Sequence, residues 1–88
     1  MTPHHEPAQQ RFTLPTTPVS VLAYQLGEGR ITFTHTNVPP AYQRQGLAAQ
    51  LVEVGLNWAK AQGLKVVPAC SYVQSYLQRH PEWQHLVA

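Results

Sequence analysis

Charged residues are scarce in this 88-residue chain, at 11% against the usual figure of about a quarter. The surface is therefore carried largely by Gln, Thr, Ser and His. The formal net charge is only +2 with His neutral. The basic residues, Arg11, Arg30, Arg44, Lys60, Lys65 and Arg79, are scattered and form no run. Without a basic stripe the chain does not read as a nucleic-acid-binding domain. A local anion site is not excluded, because that needs only a few well-placed groups. One cysteine, Cys70, excludes an internal disulfide and fits a reducing compartment. No apolar window is long enough to span a bilayer, so no membrane partner is expected. His4 and His5 are adjacent but do not make a metal set, and no metal site is expected. Neither an internal repeat nor a low-complexity tract occurs.

Apolar residues make up 43%, enough for one small globular domain with a modest core. Met1 to Gln10 is polar, with Pro and His and no apolar centre. It reads as a flexible arm over residues 1–10 rather than a signal peptide, so cytoplasmic residence is the expectation. Residues 11–88 read as the domain. Arg11 to Leu14 is a short strand, and the prolines of Pro15-Thr16-Thr17-Pro18 make a turn. Val19 to Leu26 is rich in β-branched and aromatic residues and reads as a strand. Gly27-Glu28-Gly29 then turns the chain into a return strand, Arg30 to Thr36. Strict alternation puts Ile31, Phe33 and His35 on one face of that strand and the threonines on the other.

Asn37-Val38-Pro39-Pro40 ends the strand, since proline removes donors and fixes φ. From about Gln43 to Gln62 the spacing of Leu47, Leu51, Val54, Trp58 and Ala59 predicts a helix, with Gly63 placed for a left-handed stop. Lys65 to Ala69 is a fourth strand, parallel to and beside the third. Ser71 to His80 is a second helix, stopped by Pro81, and His85 to Ala88 is a tail. The fold class is α+β, in the order β-β-β-α-β-α, with a mixed, mostly antiparallel sheet packed with helices.

The chemistry concentrates between Thr36 and Leu51. A strand runs into a proline turn, and Gln43-Arg44-Gln45-Gly46-Leu47-Ala48 opens a helix. The first amides of a helix lack internal partners, and the dipole adds positive potential there. Gly46 with the small Ala48 and Ala49 admits a bulky anion close to the backbone, and Arg44 adds a full charge. The plainer reading is a turn glycine followed by two good helix formers. On the residues alone both readings stay open.

Gln43-Arg44-Gln45-Gly46-Leu47-Ala48 resembles the acyl-CoA signature of the GNAT superfamily of N-acetyltransferases, Gln/Arg-x-x-Gly-x-Gly/Ala, at its three defining positions, Gln43, Gly46 and Ala48. Three blocks in order resemble the small GNAT-like proteins more specifically. They are His35 to Pro40 with the signature loop, Lys65-Val66-Val67-Pro68-Ala69-Cys70, and a run carrying Tyr72-Val73, Tyr76-Leu77 and Arg79-His80-Pro81-Glu82. The resemblance covers roughly Arg11 to Val87.

The resemblance implies a GNAT-like reduced fold and an acetyl-CoA-dependent N-acyltransferase acting on an unidentified amine, a protein lysine among the candidates. The alternative is a CoA-binding or protein-interaction module without turnover. By the resemblance, the pyrophosphate of CoA lies on the loop amides of Arg44, Gln45, Gly46, Leu47, Ala48 and Ala49. The pantetheine arm pairs with Asn37 and Val38, and an amide near Val38 faces the acetyl carbonyl. Full-size members carry helices between their first two strands, where this chain has only Leu14 to Val19. Those helices help to form the acceptor site.

Cys70 stands where a helix start lowers a thiol's pKa, and it is the first candidate for an acyl-accepting nucleophile. A small buried residue closing a strand is the equal alternative. His35 is the second catalytic candidate, a general base for an incoming amine, against a structural histidine with one hydrogen bond. Tyr42 and Tyr72 are candidate proton donors by the resemblance, with packing as the alternative. Tyr76 and Trp83 read as core or edge residues, and His80 and His85 receive no role. An exposed sheet edge in so small a domain permits a monomer or a weak dimer.

Overall fold

The computed structural model describes residues 2–88; Met1, part of the arm expected at the N-terminus, lies outside them. One five-stranded sheet is built in simple order β1-β2-β3-β4-β5. Its strands are β1 (His4–Glu6), β2 (Arg11–Leu14), β3 (Ser20–Gly27), β4 (Arg30–Asn37) and β5 (Lys65–Pro68). The helices are α1 (Leu47–Ala61) and α2 (Ser71–Arg79). The first four strands pair antiparallel, and β5 joins β4 in parallel after the α1 crossover. From β2 onward this is the α+β order read from the sequence, with a further strand in front. No helix among the described residues is long and apolar enough to cross a membrane.

That further strand falls within residues 1–10, the stretch read from the sequence as a flexible arm. His4–Glu6 pairs with β2 through His4 opposite Thr13, His5 opposite Phe12 and Glu6 opposite Arg11. Its anchor is His5. The imidazole stacks on Phe12 at 4.2 Å between ring centroids and meets the edge of Trp58 at 4.6 Å. It also shares a hydrogen bond with the Tyr24 hydroxyl. A Glu6–Arg11 ion pair at 2.6 Å closes the outer side. The Tyr24 and Trp58 partners are far away in the chain, so composition alone does not reveal the strand.

The core lies between the sheet and the two helices. Phe12, Leu14, Leu22, Ile31, Phe33 and Val66 come from the strands, and Leu51, Val52, Leu56, Val73 and Leu77 from the helices. The apolar stripe of α1 is centred on Leu51, Val52, Gly55, Leu56 and Ala59, leaving Val54 and Trp58 half-buried. Gly55 sets the distance between helix and sheet, since a Cβ there would stand 3.0 Å from the Phe33 ring and 3.1 Å from Leu22.

Several boundaries differ from those read from the sequence, most of them by one residue at an element end. The helix opens at Leu47, not Gln43: a short 3-10 turn, Pro40–Tyr42, comes first, and Arg44 and Gly46 then take left-handed φ values of 66° and 76°. A helix cannot run through residues in that conformation. The second helix ends at Arg79, one residue early. The tail is also ordered. After a 3-10 turn, Pro81–Leu86, Val87 bridges to Val66 and the Ala88 amide donates to the Val66 carbonyl. This occupies the outer edge of β5.

β4 carries the decisive irregularity. Tyr24 pairs with Phe33, but Ala23 pairs with His35, so Thr34 is an extra residue. Such a bulge shifts the alternation by one. Leu22, on the core face, pairs with Thr36. Phe33 and Thr36 therefore face the helices, and His35 faces the other way. The face shared by Ile31, Phe33 and His35 in the sequence reading ends at Phe33.

Candidate active site

β4 is twice as long as β5. The parallel pairing runs only from Arg30 opposite Lys65 to Phe33 opposite Pro68. Beyond it His35 to Asn37 pair with β3 on one side and with no strand on the other. Pro68 has no N–H with which to continue a ladder. The chain turns away there, and the Cys70 amide makes a last bond to the Phe33 carbonyl at 2.9 Å. The sheet thus splays open between β4 and the start of α2.

A groove of about 450 Å³ opens at this splay. Thr36 and Val38 line it from β4 and the strand end, and Tyr42, Gln43, Arg44 and Gly46 from the connecting loop. Leu47 and Ala48 contribute the start of α1, and Tyr72 and Arg79 a face of α2. The start of α1 carries no side-chain cap and no acidic residue in its first turn. The Gln50 amide is the first to reach back, to the Gly46 carbonyl at 3.1 Å. The preceding helical amides are left for a ligand or water. The Gln43 side-chain amide donates to the Val38 carbonyl at 3.0 Å, tying the loop to the free end of β4.

Behind Thr36 lies Cys70, buried, at the N-cap of α2. The sulfur is 3.3 Å from the Thr36 hydroxyl. Burial pushes the thiol up. The Thr36 hydroxyl and the amides of Val73, Tyr72 and Thr36 together outweigh that and hold it below its ordinary value. The helix-start amides act on the sulfur as oriented dipoles rather than as a close capping bond, which Cys70 does not make.

The residues singled out from the sequence separate accordingly. Val38, Gln43, Arg44, Gly46, Leu47 and Ala48 line the groove. Asn37 precedes Val38 on the free edge, while Gln45 is exposed beside the groove and Ala49 packs on the core. Cys70 stands one side chain behind the wall. His35, read from the sequence as a general base, is exposed on the opposite face of β4 because of the bulge, and it does not line the groove. Tyr42 and Tyr72, the candidate proton donors, both line it. Sequence reading missed Thr36, which the bulge turns inward, and Arg79, whose place depends on how α2 packs. The seven-residue spacing of Tyr72 and Arg79, two helical turns, was the available signal for the latter. Among the described residues no group of three or more His, Cys, Asp or Glu could hold a metal ion.

The GCN5-related N-acetyl-transferase family model matches residues 11–86, from the first residue of β2 to the end of the Pro81–Leu86 turn. The chain belongs to this family. Its relatives include the proteins called Protein NATD1. That of Gallus gallus is 34% identical over 68 residues, covering 76% of this chain and 62% of its own length. That of Homo sapiens is 34% identical over 68 residues, covering 76% of this chain and 60% of its own. The Danio rerio protein is 29% identical over 68 residues, covering 76% of this chain and 62% of its own. The match spans about three fifths of these curated relatives. GCN5-related acetyltransferases generally use acetyl-CoA. The groove of this chain combines a helix start with free amides and a strand edge without a partner strand.

Proposed function

We propose that the groove binds acetyl-CoA and that the chain transfers the acetyl group to an amine. One observation carries this reading: the uncapped start of α1 and the free edge of β4 meet at one groove, and Cys70 lies directly behind Thr36 in its wall. The pyrophosphate fits the amides at Leu47, Ala48 and Ala49, with Gln45, Gly46 and the Arg44 guanidinium beside them. Pantetheine amides fit the edge at Asn37 and Val38, replacing the Gln43 contact to the Val38 carbonyl. The thioester then comes to the Thr36 end, next to the lowered thiol of Cys70. There the Cys70 sulfur, as thiolate, attacks the acetyl carbonyl. A C–S bond forms as the bond to CoA breaks, and the CoA thiolate takes a proton from water or from Tyr72. A neutral amine then attacks the acetyl-cysteine, loses its proton to water and returns the Cys70 thiolate. The cytoplasm, where acetyl-CoA meets a reduced thiol, suits this chemistry. A protein lysine is a fitting acceptor for so open a groove, as a monomer or a weak dimer.

The second reading, a CoA-binding module without turnover, rests on a specific observation. His35 is outside the groove, no other histidine and no carboxylate lines it, and the short Leu14 to Ser20 connection adds no helix for an acceptor pocket. The deciding experiment has two stages. Calorimetry with acetyl-CoA tests binding, and no heat at millimolar ligand sinks both readings. Mass spectrometry after incubation then looks for an acetyl adduct on Cys70 that a lysine peptide discharges. Binding without adduct or transfer selects the module.

A further inference from the structure

We infer that Arg79 is a ligand-binding residue of the groove that reads a phosphate beyond the pyrophosphate, the 3′-phosphate on the ribose of CoA. This rests on the acetyl-CoA reading above. Arg79 and Tyr72 are two turns apart on α2 and both line the groove. Tyr72 is next to the Cys70 end, and Arg79 is about 10 Å further along the helix. Arg44 enters from the loop before α1, so two guanidinium groups from two elements line one groove.

Among the described residues no carboxylate forms an ion pair with either of them. All four acidic residues are glutamates, Glu6, Glu28, Glu53 and Glu82, and none lines the groove. The one ion pair among the described residues is Arg11 with Glu6, on the far edge of the sheet. Two like charges beside a common groove repel, and an anion with more than one charged group turns that repulsion into two charge-assisted contacts. The start of α1 with Arg44 already suffices for one such group. Arg79 stands at the end of α2, where the backbone presents carbonyls rather than amides, so any anion held there is held by the side chain alone. A compact pyrophosphate satisfies the first position. A ligand with a further phosphate at the end remote from its sulfur satisfies both.

The rival role for Arg79 is to complement the dipole at the end of α2. Calorimetry separates the two, using acetyl-CoA and 3′-dephospho-acetyl-CoA with the wild type, Arg79→Gln and Arg79→Lys. The wild type is expected to favour acetyl-CoA by roughly tenfold or more. Arg79→Gln is expected to lose that preference by weakening acetyl-CoA alone, and Arg79→Lys to keep part of it. An Arg79→Gln variant that weakens both ligands equally, or neither, overturns the assignment. A lower melting temperature with the preference intact gives Arg79 to the helix end instead. A wild type that binds neither ligand overturns the CoA reading itself, and this assignment with it.

Discussion

Thr36 Oγ1 and Cys70 Sγ lie 3.3 Å apart across 34 residues of sequence, and they join the free edge of β4 to the start of α2. The contact exists because Thr34 is extra in β4 and turns Thr36 inward. It also decides the state of the thiol. Burial alone raises it, and the Thr36 hydroxyl is the leading group that lowers it, ahead of the amides of Val73, Tyr72 and Thr36.

Thr36→Val keeps the shape and removes that donor. The thiol then moves back up, so at neutral pH a smaller fraction is thiolate. Alkylation of Cys70 by iodoacetamide, followed against pH, is expected to shift its midpoint to higher pH and to slow several-fold at pH 7. Any acetyl transfer through Cys70 is expected to slow in parallel. An unchanged pH–rate curve would show that the hydroxyl does not act on the sulfur.

His35→Ala is expected to leave acetyl-CoA affinity, and any transfer rate, within about twofold of the wild type, because a surface side chain away from such features changes little. His35 faces away from the groove and is exposed. Val38→Pro makes the contrast: it removes a backbone donor at the groove, and a large loss of acetyl-CoA affinity is expected from calorimetry. A strong effect of His35→Ala on rate would return that residue to the chemistry.

The helices and the central strands were legible because their signals are local. The α1 stripe has a helical period, and the strands are marked by β-branched runs between glycine and proline turns. The signature loop was legible as composition, though not its left-handed residues at Arg44 and Gly46, which delay the helix start to Leu47. The bulge was not legible. Thr34 differs in no way from Thr32 or Thr36 as a sequence symbol, and only pairing with β3 makes it the extra residue. That one displacement put His35 where Thr36 belongs. β1 was hidden for a related reason: Pro3-His4-His5-Glu6 has no strand propensity, and His5 is held by Phe12, Tyr24 and Trp58 from three other elements.

The His5 anchor makes β1 sensitive to acid. Burial lowers the His5 pKa below its ordinary 6.5 and raises that of the Tyr24 hydroxyl it bonds. The histidine thus binds a proton more readily unfolded than folded. Its contribution to stability is present above pH 6.5 and is lost as pH falls from there through the lowered folded value. Phe12, Tyr24 and Trp58 surround the ring, and the Glu6–Arg11 pair lies on the opposite side of the strand pair. Thermal melts are expected to show the wild type losing stability between about pH 7.5 and pH 5, and His5→Phe losing distinctly less. Equal losses in the two proteins would place the acid sensitivity elsewhere.

Helix α1 lies tight against the sheet at Gly55, and substitution there tests the core directly. A Cβ at this position stands 3.0 Å from Phe33 Cε1 and 3.1 Å from both Phe33 Cζ and Leu22 Cδ2. Alanine improves helix propensity by up to about 1 kcal/mol, which opposes the crowding of one methyl group. Gly55→Ala is therefore expected near neutral. Gly55→Val adds two further methyl groups without that gain and forces α1 off Phe33, at a cost of about 1–3 kcal/mol. For a domain of this size each kcal/mol lowers the melting temperature by roughly 4–8 °C. Phe33→Leu shrinks the side chain that the introduced valine strikes. In a double-mutant cycle of Gly55→Val with Phe33→Leu, read by urea unfolding, the pair is expected to cost less than the sum of the two single changes. Strict additivity would mean that the helix clears Phe33 and that Gly55 does not set its height above the sheet.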